Sequence, residues 1–416
     1  MNNEVEVLIA TSLALLVMLI WRYSLHTHFK TSLYAIGLYT FSSVMGIVFY
    51  FQPLSLLSGH IQWWPMFYWI ALFGITLIPL YQFDKSYITD FKYNDDLLAK
   101  IALFGFIISI EPFFEQLILS HGLITGGDLG ETMVEMHDEG SLDNISFIGR
   151  NMLRLNIALY DLSFIILFIE FLKPEKNRKV LFYLSFIILT RNLTGILAGH
   201  RSAAIEVVMK LLLIVIIVFP LVSEVERKKI RNFVFVVFAF VGTVFAIITI
   251  GRQMLYSVTK GDDFTLLYFL SWYAGEGLVN FNQWLPDMRQ TTGGEYTCWT
   301  WLSLFGAPPE IDYDYMYGPL QKLQGIPQNI FYTYIGNFVQ DFGFFGAAIY
   351  LIIHTIIFKV LTYEKTSVMP ISKLYLFVFY GSIILQGVTS YKYIGSHGKF
   401  IILSFLIYFY LRYKKI

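Results

Sequence analysis

The chain is a succession of long apolar runs separated by charged residues. A helix needs about 20 apolar residues to cross the hydrocarbon core of a bilayer. The sequence therefore predicts an all-α polytopic membrane protein with about eleven transmembrane helices in a single membrane domain, residues 1–416. The predicted spans are Val5–Trp21, Thr31–Phe51, Gln62–Tyr81, Leu98–Leu119, Met152–Leu172, Val180–Gly199, Ala203–Val222, Asn232–Ile250, Phe342–Leu361, Pro370–Ser390 and Phe400–Leu411.

The composition excludes several classes of protein. Hydrophobic residues make up 56% of the chain and charged residues 14%, whereas soluble domains have about 25% charged residues. A formal net charge of zero removes the basic excess that nucleic-acid binding requires. Cys298 is the sole cysteine, so neither an internal disulfide nor a paired-thiol metal site can form. No metal or other cofactor is predicted.

The lysines and arginines indicate an orientation, because they favour the cytoplasmic ends of membrane helices. With the eleven spans above, 19 of the 30 basic residues, including Arg22, fall on one face and nine on the other. Arg191 and Lys210 remain inside helices. We therefore expect the N-terminus outside and the C-terminus inside.

A long segment between the eighth and ninth spans, Gly251–Asp341, is predicted to form an outer-face cap loop. Long loops in compact proteins are usually functional or disordered, and its aromatic content argues against disorder. Within it, Phe264–Leu285 is apolar enough to be a helix that lies in the interface or re-enters the membrane. The tryptophans of the segment are Trp272, Trp284, Trp299 and Trp301.

Two arginines flank a predicted break between helices at Gly199-His200-Arg201. An arginine within the membrane is costly and usually faces a polar cavity or a partner. Arg191 would lie about 15 Å from Arg201 if the segment stayed helical. The two guanidinium groups suit phosphate or pyrophosphate. Alternatively, Arg201 caps a helix end and Arg191 pairs with Asp161 or Glu206.

Arg252 is predicted at the outer end of the eighth span, and Arg289 lies in the cap segment. An arginine at an outer helix end runs against the usual preference for the inner face, which favours a substrate-binding role. The alternative for Arg252 is that its side chain reaches to the lipid headgroups.

Three side chains are candidates for proton transfer. Asp341 opens the predicted ninth span and either acts as a general base or caps that helix. Glu276, between two glycines, is a second candidate base, although a solvated loop acid is the favoured interpretation. His200 is predicted at the outer face, where a histidine can shuttle protons.

Taken together, these features resemble the Wzy-type polymerases of oligosaccharide repeat units, also called O-antigen polymerases. The resemblance rests on the many helices, the break at Gly199-His200-Arg201, the large late outer loop and the segment Asp341–Gly346 that opens the next helix. It covers the whole chain in layout.

The resemblance implies a metal-independent glycosyltransferase in the bacterial plasma (inner) membrane that extends an O-antigen or capsule. Donor and acceptor would be glycans linked to undecaprenyl pyrophosphate, and a flippase and a chain-length regulator are possible partners. In the family that the chain resembles, arginines at the outer face bind the substrate, and the resemblance implies that role for Arg201 and Arg252. Position alone adds Arg191 and Arg289.

Two other functions stay open. An O-antigen ligase shares the lipid-linked donor and the outer arginines but transfers the glycan to a lipid A core. A flippase or secondary transporter would show paired halves with inverted repeats and broken helices, and no such symmetry is evident in the sequence.

Overall fold

A computed structural model describes residues 3–52, 60–125, 145–197, 201–260, 265–304, 316–328, 330–389 and 398–414. These residues are mostly helical, as the apolar runs predict. The helices are α1 (Asn3–Ser24), α2 (Thr31–Tyr50), α3 (Trp63–Thr76), α4 (Ile78–Asp84), α5 (Asp95–Thr125), α6 (Phe147–Leu172), α7 (Arg178–Leu197), α8 (Arg201–Val218), α9 (Glu224–Lys260), α10 (Leu266–Trp284), α11 (Glu295–Leu304), α12 (Gln321–Gln324), α13 (Thr333–Thr362), α14 (Ile371–Gln386) and α15 (Gly398–Tyr413). The strands β1 (Asp90–Lys92) and β2 (Val368–Pro370) pair in parallel, with Asp90 opposite Val368.

Five of the described helices are long and apolar enough to cross a membrane, namely α1, α2, α5, α6 and α13. A sixth span is possible if α3 and α4, which meet at an angle of 41°, cross together. The predicted span Gln62–Tyr81 corresponds to this bent pair, whose two helices meet at Leu77. These lengths and compositions fit an α-helical membrane protein.

The predicted cap segment 251–341 contains much more helix than a loop. Its first ten residues belong to α9, and α10, α11 and the start of α13 follow. The helix predicted at Phe264–Leu285 is confirmed as α10. Ring stacking among its aromatic residues provides packing that a solvated loop lacks.

The described chain divides into two compact units. Unit 1 comprises residues 1–87, 265–365 and 379–406, and unit 2 comprises residues 88–264, 366–378 and 407–416. The core of unit 1 includes Tyr39, whose ring centroid lies 4.5 Å from that of Phe73 and 5.3 Å from that of Trp69. The Tyr39 hydroxyl donates to the Ile384 carbonyl at 2.9 Å, so this buried polar atom is satisfied.

In unit 2, a buried amide joins three helices. The Asn156 Nδ2 of α6 donates to the Ser109 hydroxyl of α5 at 2.6 Å and to the Ile187 carbonyl of α7 at 3.2 Å. Hydrogen bonds between helices help to associate helices in a membrane. Apolar side chains contribute less to this association, because lipid tails are as apolar as a neighbouring helix. Asn156 therefore fixes the lateral arrangement of α5, α6 and α7.

A buried ion pair fixes the packing of α1, α2 and α4 in unit 1. Arg22, at the end of α1, is 2% exposed and Asp84, at the end of α4, is fully buried. Their side chains meet at 2.5 Å. The Asp84 carboxylate also accepts hydrogen bonds from the backbone and hydroxyl groups of Thr31 and Ser32, at 2.6 to 3.0 Å. Each Asp84 oxygen thus has several donors, as a buried carboxylate requires.

Candidate functional site

The predicted site residues divide between the two units. Unit 1 holds Glu276, Arg289 and Asp341, while unit 2 holds Arg191, Arg201 and Arg252. His200 lies outside the described residues.

Glu276 lies in the middle of α10 and is 2% exposed. The favoured interpretation from sequence, a solvated loop acid, is therefore wrong. The Trp272 side chain, the Phe331 backbone and the Asn280 amide, at 3.4 Å, hydrogen-bond to the Glu276 carboxyl. Burial outweighs these bonds and raises the pKa of Glu276 well above its ordinary value, because a charged carboxylate is costly away from water.

The two glycines beside Glu276 permit close packing and do not form a turn. A Cβ on Gly275 would overlap the backbone of Met45 and Gly46 in α2. A Cβ on Gly277 would lie 3.2 Å from the Thr333 side chain and 3.2 Å from the Val388 carbonyl oxygen. Because backbone contacts both neighbouring positions, the place of the Glu276 side chain is fixed by tightly packed elements.

Thr333, at the start of α13, adopts a positive φ of 65°. This conformation is unfavourable for a β-branched residue and persists only where the surroundings impose it. Its hydroxyl accepts hydrogen bonds from the Trp69 indole at 3.1 Å and from the Gly336 backbone at 3.3 Å. Thr333 also faces Gly277, so this strained residue belongs to the surroundings of Glu276.

Aromatic rings line the same stretch of α10. The Trp272 ring centroid lies 5.5 Å from that of Tyr268 and 5.8 Å from that of Tyr273. The Tyr273 centroid lies in turn 6.4 Å from that of Phe331. A buried carboxyl, an amide and several aromatic faces together have the composition of a ligand-binding site, which is mostly apolar with a few polar groups.

Asp341 is fully buried and both carboxylate oxygens have donors. The Thr292 hydroxyl donates to Oδ1, and the Thr297 backbone N–H donates to Oδ2 at 2.8 Å. Asp341 lies inside α13, two residues before a kink at Gly343 whose φ is 70°. One interpretation from sequence is that Asp341 caps its own helix, and the structure contradicts it. Asp341 instead caps the first turn of α11, where a carboxylate is favoured.

Arg289 is exposed, and a backbone hydrogen bond holds its chain segment in place. Its backbone N–H donates to the Gln324 carbonyl at 3.0 Å, and its side chain packs over Gly325, where a Cβ would lie 2.9 Å from Nε. Gln324 also joins a buried amide cluster with Gln328 and Gln340, in which Nε2 atoms donate to Oε1 atoms at 2.6 to 2.8 Å. No motif in the sequence marks these glutamines.

In unit 2, four charged side chains form a cluster that we call the charge quartet: Asp161, Arg191, Glu206 and Lys210. Lys210 forms ion pairs with Asp161 and, at 2.7 Å, with Glu206. Arg191 lies 3.8 Å from Glu206. Of the two partners predicted for Arg191, the structure places Glu206 beside it, whereas Asp161 pairs with Lys210. The lysine ammonium also lies 4.1 Å from the centroid of the Tyr160 ring, a favourable contact for a cation.

The other two arginines are placed by their helices. Arg201 is the first residue of α8, and the predicted helix break at Gly199-His200 lies outside the described residues. Arg252 was predicted at a helix end, but α9 continues to Lys260, so Arg252 lies within the helix. Among the described residues, no three His, Cys, Asp or Glu side chains are grouped as metal ligands would be.

Comparisons with known proteins found no matching family model, no matching curated protein and no matching solved structure. The function of the chain is therefore inferred from its own residues.

Proposed function

We propose that this protein is a glycosyltransferase that joins oligosaccharide repeat units linked to undecaprenyl pyrophosphate at the outer face of the bacterial plasma membrane. The observation that carries the proposal is the buried Glu276 carboxyl, which lies beside the Asn280 amide and the aromatic ring of Trp272. Aromatic faces suit the apolar faces of sugar rings, and a positioned carboxyl suits proton transfer.

In the proposed reaction, a hydroxyl of the acceptor glycan attacks the anomeric carbon of the donor. A carbon–oxygen bond forms to the acceptor, while the bond from the anomeric carbon to the pyrophosphate oxygen breaks. Glu276 takes the hydroxyl proton once its own carboxyl is ionised, and burial, which raises its pKa, makes the ionised form a stronger base than an ordinary glutamate. The bonding electrons leave with the pyrophosphate.

The other predicted site residues have distinct parts in this proposal. Asp341 acts as a positioning residue, because its carboxylate is already engaged with Thr292 and Thr297. Arg201, Arg252 and Arg191 in unit 2 and Arg289 in unit 1 each stay a predicted pyrophosphate ligand, and His200 remains a second candidate for proton transfer. The proposal also keeps eleven spans with the N-terminus outside, in which the shorter apolar helices α14 and α15 act as spans.

A strain that lacks the gene distinguishes this function from its alternatives. Loss of a polymerase should leave single repeat units attached to their final acceptor. Loss of an O-antigen ligase would leave the acceptor bare, and loss of a flippase would retain lipid-linked repeats inside the cell. Electrophoresis of the surface glycan, with analysis of lipid-linked intermediates, separates these three outcomes, and long chains of normal abundance would contradict all three.

Arg201→Ala should lower the yield of long glycan chains by about 10- to 100-fold, because a charge-assisted contact to a phosphate contributes about 1.5–3 kcal/mol. The measurement is the length distribution of the surface glycan at equal protein abundance in the membrane. Arg178→Ala, at the start of α7 and on the predicted inner face, is the control. A normal ladder of long chains in the Arg201 variant would contradict its proposed role.

A further inference from the structure

The charge quartet becomes more exposed from one end to the other. The Lys210 side chain is 4% exposed and contacts two carboxylates. Asp161 and Glu206 are 13% and 15% exposed, and Arg191 is 22% exposed. The quartet is therefore most accessible at Arg191.

The distances from Glu206 to its cationic neighbours Lys210 and Arg191 are unequal. Its distance of 2.7 Å to Lys210 is that of a charge-assisted hydrogen bond. Its distance of 3.8 Å to Arg191 is too long for a hydrogen bond and leaves an ion pair alone. Glu206 can therefore release Arg191 and still keep its stronger partner.

We propose that the Glu206 carboxylate competes with the phosphate groups of the substrate for Arg191. The carboxylate pairs with Arg191 before the substrate binds, and a pyrophosphate group displaces it. Arg191 would exchange one long carboxylate contact for two short, parallel hydrogen bonds, which the planar guanidinium forms with phosphate oxygens. Lys210 would retain Glu206 and Asp161, so neither carboxylate is left without a cation. The assignment of the anion to a lipid-linked pyrophosphate rests on the proposed function.

A matched pair of variants tests this competition. Glu206→Gln and Asp161→Asn each remove one negative charge from the same quartet. Within the quartet, the ion pair to Arg191 comes from Glu206, whereas Asp161 pairs with Lys210. We titrate the purified full-length protein in detergent with inorganic pyrophosphate at constant ionic strength and follow the thermal unfolding midpoint. Glu206→Gln should lower the apparent Kd by about tenfold, and Asp161→Asn by no more than about threefold.

Equal tightening in both variants would show a general charge effect and would overturn the proposal, as would unchanged affinity in Glu206→Gln. The double variant Arg191→Gln and Glu206→Gln should lose the gain. Because removal of a buried charge can impair folding, Glu206→Asp is a second test that keeps the net charge. Its shorter side chain moves the carboxylate away from Arg191, so the apparent Kd should fall by about threefold, and an unchanged Kd would again contradict the competition.

A parallel titration with farnesyl diphosphate identifies the source of the anion. Tighter binding than that of inorganic pyrophosphate supports a lipid-linked ligand, and weaker binding overturns that assignment. These binding measurements are independent of glycan synthesis. If the variants behave as expected but the deletion strain makes long chains normally, the proposed function fails while the competition at Arg191 stands. The reverse result leaves the function intact and overturns the role of Glu206.

Discussion

Replacing Glu276 by Gln should lower the rate of glycan polymerisation by about 10²- to 10⁴-fold, the usual contribution of general acid–base catalysis. The amide keeps the size of the side chain and its capacity to accept hydrogen bonds, but it cannot take a proton from the acceptor hydroxyl. The measurement is chain elongation by purified protein with lipid-linked repeat units, at equal amounts of folded protein. Glu295→Gln, at the start of α11, is the matched control and should retain the normal rate.

The pH dependence gives a second signature of the same residue. Because burial raises the pKa of Glu276, a base at this position loses its proton at a higher pH than an ordinary glutamate. The wild-type rate should therefore rise with pH through that raised pKa, and this rise should be absent in Glu276→Gln. A pH profile that is identical in the two proteins would contradict the assignment of Glu276 as the base.

The Glu276→Gln variant should be less active than the wild type without being less stable. A folded-state pKa raised above the unfolded value of about 4.5 means that the folded state holds its proton more tightly than the unfolded state does. The stability that this provides is complete below the unfolded pKa and is lost as the pH rises towards the folded pKa. Gln has no proton to lose, so at neutral pH the variant should be at least as stable as the wild type. A loss of activity with a loss of stability would instead indicate a structural role.

Much of the helical content follows from the apolar runs, but the helix ends do not. The eighth predicted run, Asn232–Ile250, becomes α9, which spans Glu224–Lys260. Each predicted run ends at charged residues, yet Glu, Lys and Arg are good helix formers. The length of an apolar run therefore indicates how much of a helix can lie in the bilayer, and the helix itself can be longer.

The two irregularities of the helical backbone differ in how local sequence announces them. The bend at Leu77 divides one apolar run between α3 and α4, and Pro79 in the first turn of α4 is a local signal for it, because proline cannot donate the backbone hydrogen bond that would continue the preceding helix. The positive φ of Thr333 has no such signal, because a β-branched residue gives no local reason to expect it. That conformation depends on long-range packing, which a single sequence does not display.

The candidate site was partly predictable for a related reason. The sequence marks Glu276 and Asp341 as candidate bases, but their surroundings come from distant parts of the chain. The favoured interpretation from sequence makes Glu276 a solvated loop acid, whereas in the structure its neighbouring glycines admit the backbone of α2 and the side chain of Thr333. Asp341 caps α11, which begins 46 residues earlier in the chain, so its partner could not be read from its neighbours.

Arg22 shows how the structure changes the meaning of a charge. In the sequence it counts as one of the basic residues that orient the membrane helices. In the structure it is buried and bonded to Asp84, Ser32 and Thr27, at 2.5 to 2.7 Å. A charge that is compensated within the protein carries less information about orientation than an exposed one, so the predicted topology rests on the remaining basic residues.

Replacing Asp84 by Ala should reduce the free energy of unfolding by about 3–5 kcal/mol, because it leaves the Arg22 guanidinium buried without a counterion. It also removes the acceptor for the Thr31 and Ser32 backbone N–H groups at the start of α2. The measurement is the denaturant dependence of unfolding in detergent, with Asp90→Ala, in the exposed residue at the start of β1, as a control that should change stability by less than about 0.5 kcal/mol.

The double variant Arg22→Met and Asp84→Leu separates the buried charge from the loss of packing. If the unpaired guanidinium causes most of the loss, the double variant should recover a large part of it, because well-packed apolar residues often replace a buried ion pair at little cost. A double variant that is less stable than Asp84→Ala would show instead that the hydrogen bonds to α2 dominate. A single variant within about 1 kcal/mol of the wild type would contradict the role of the pair in joining α1, α2 and α4.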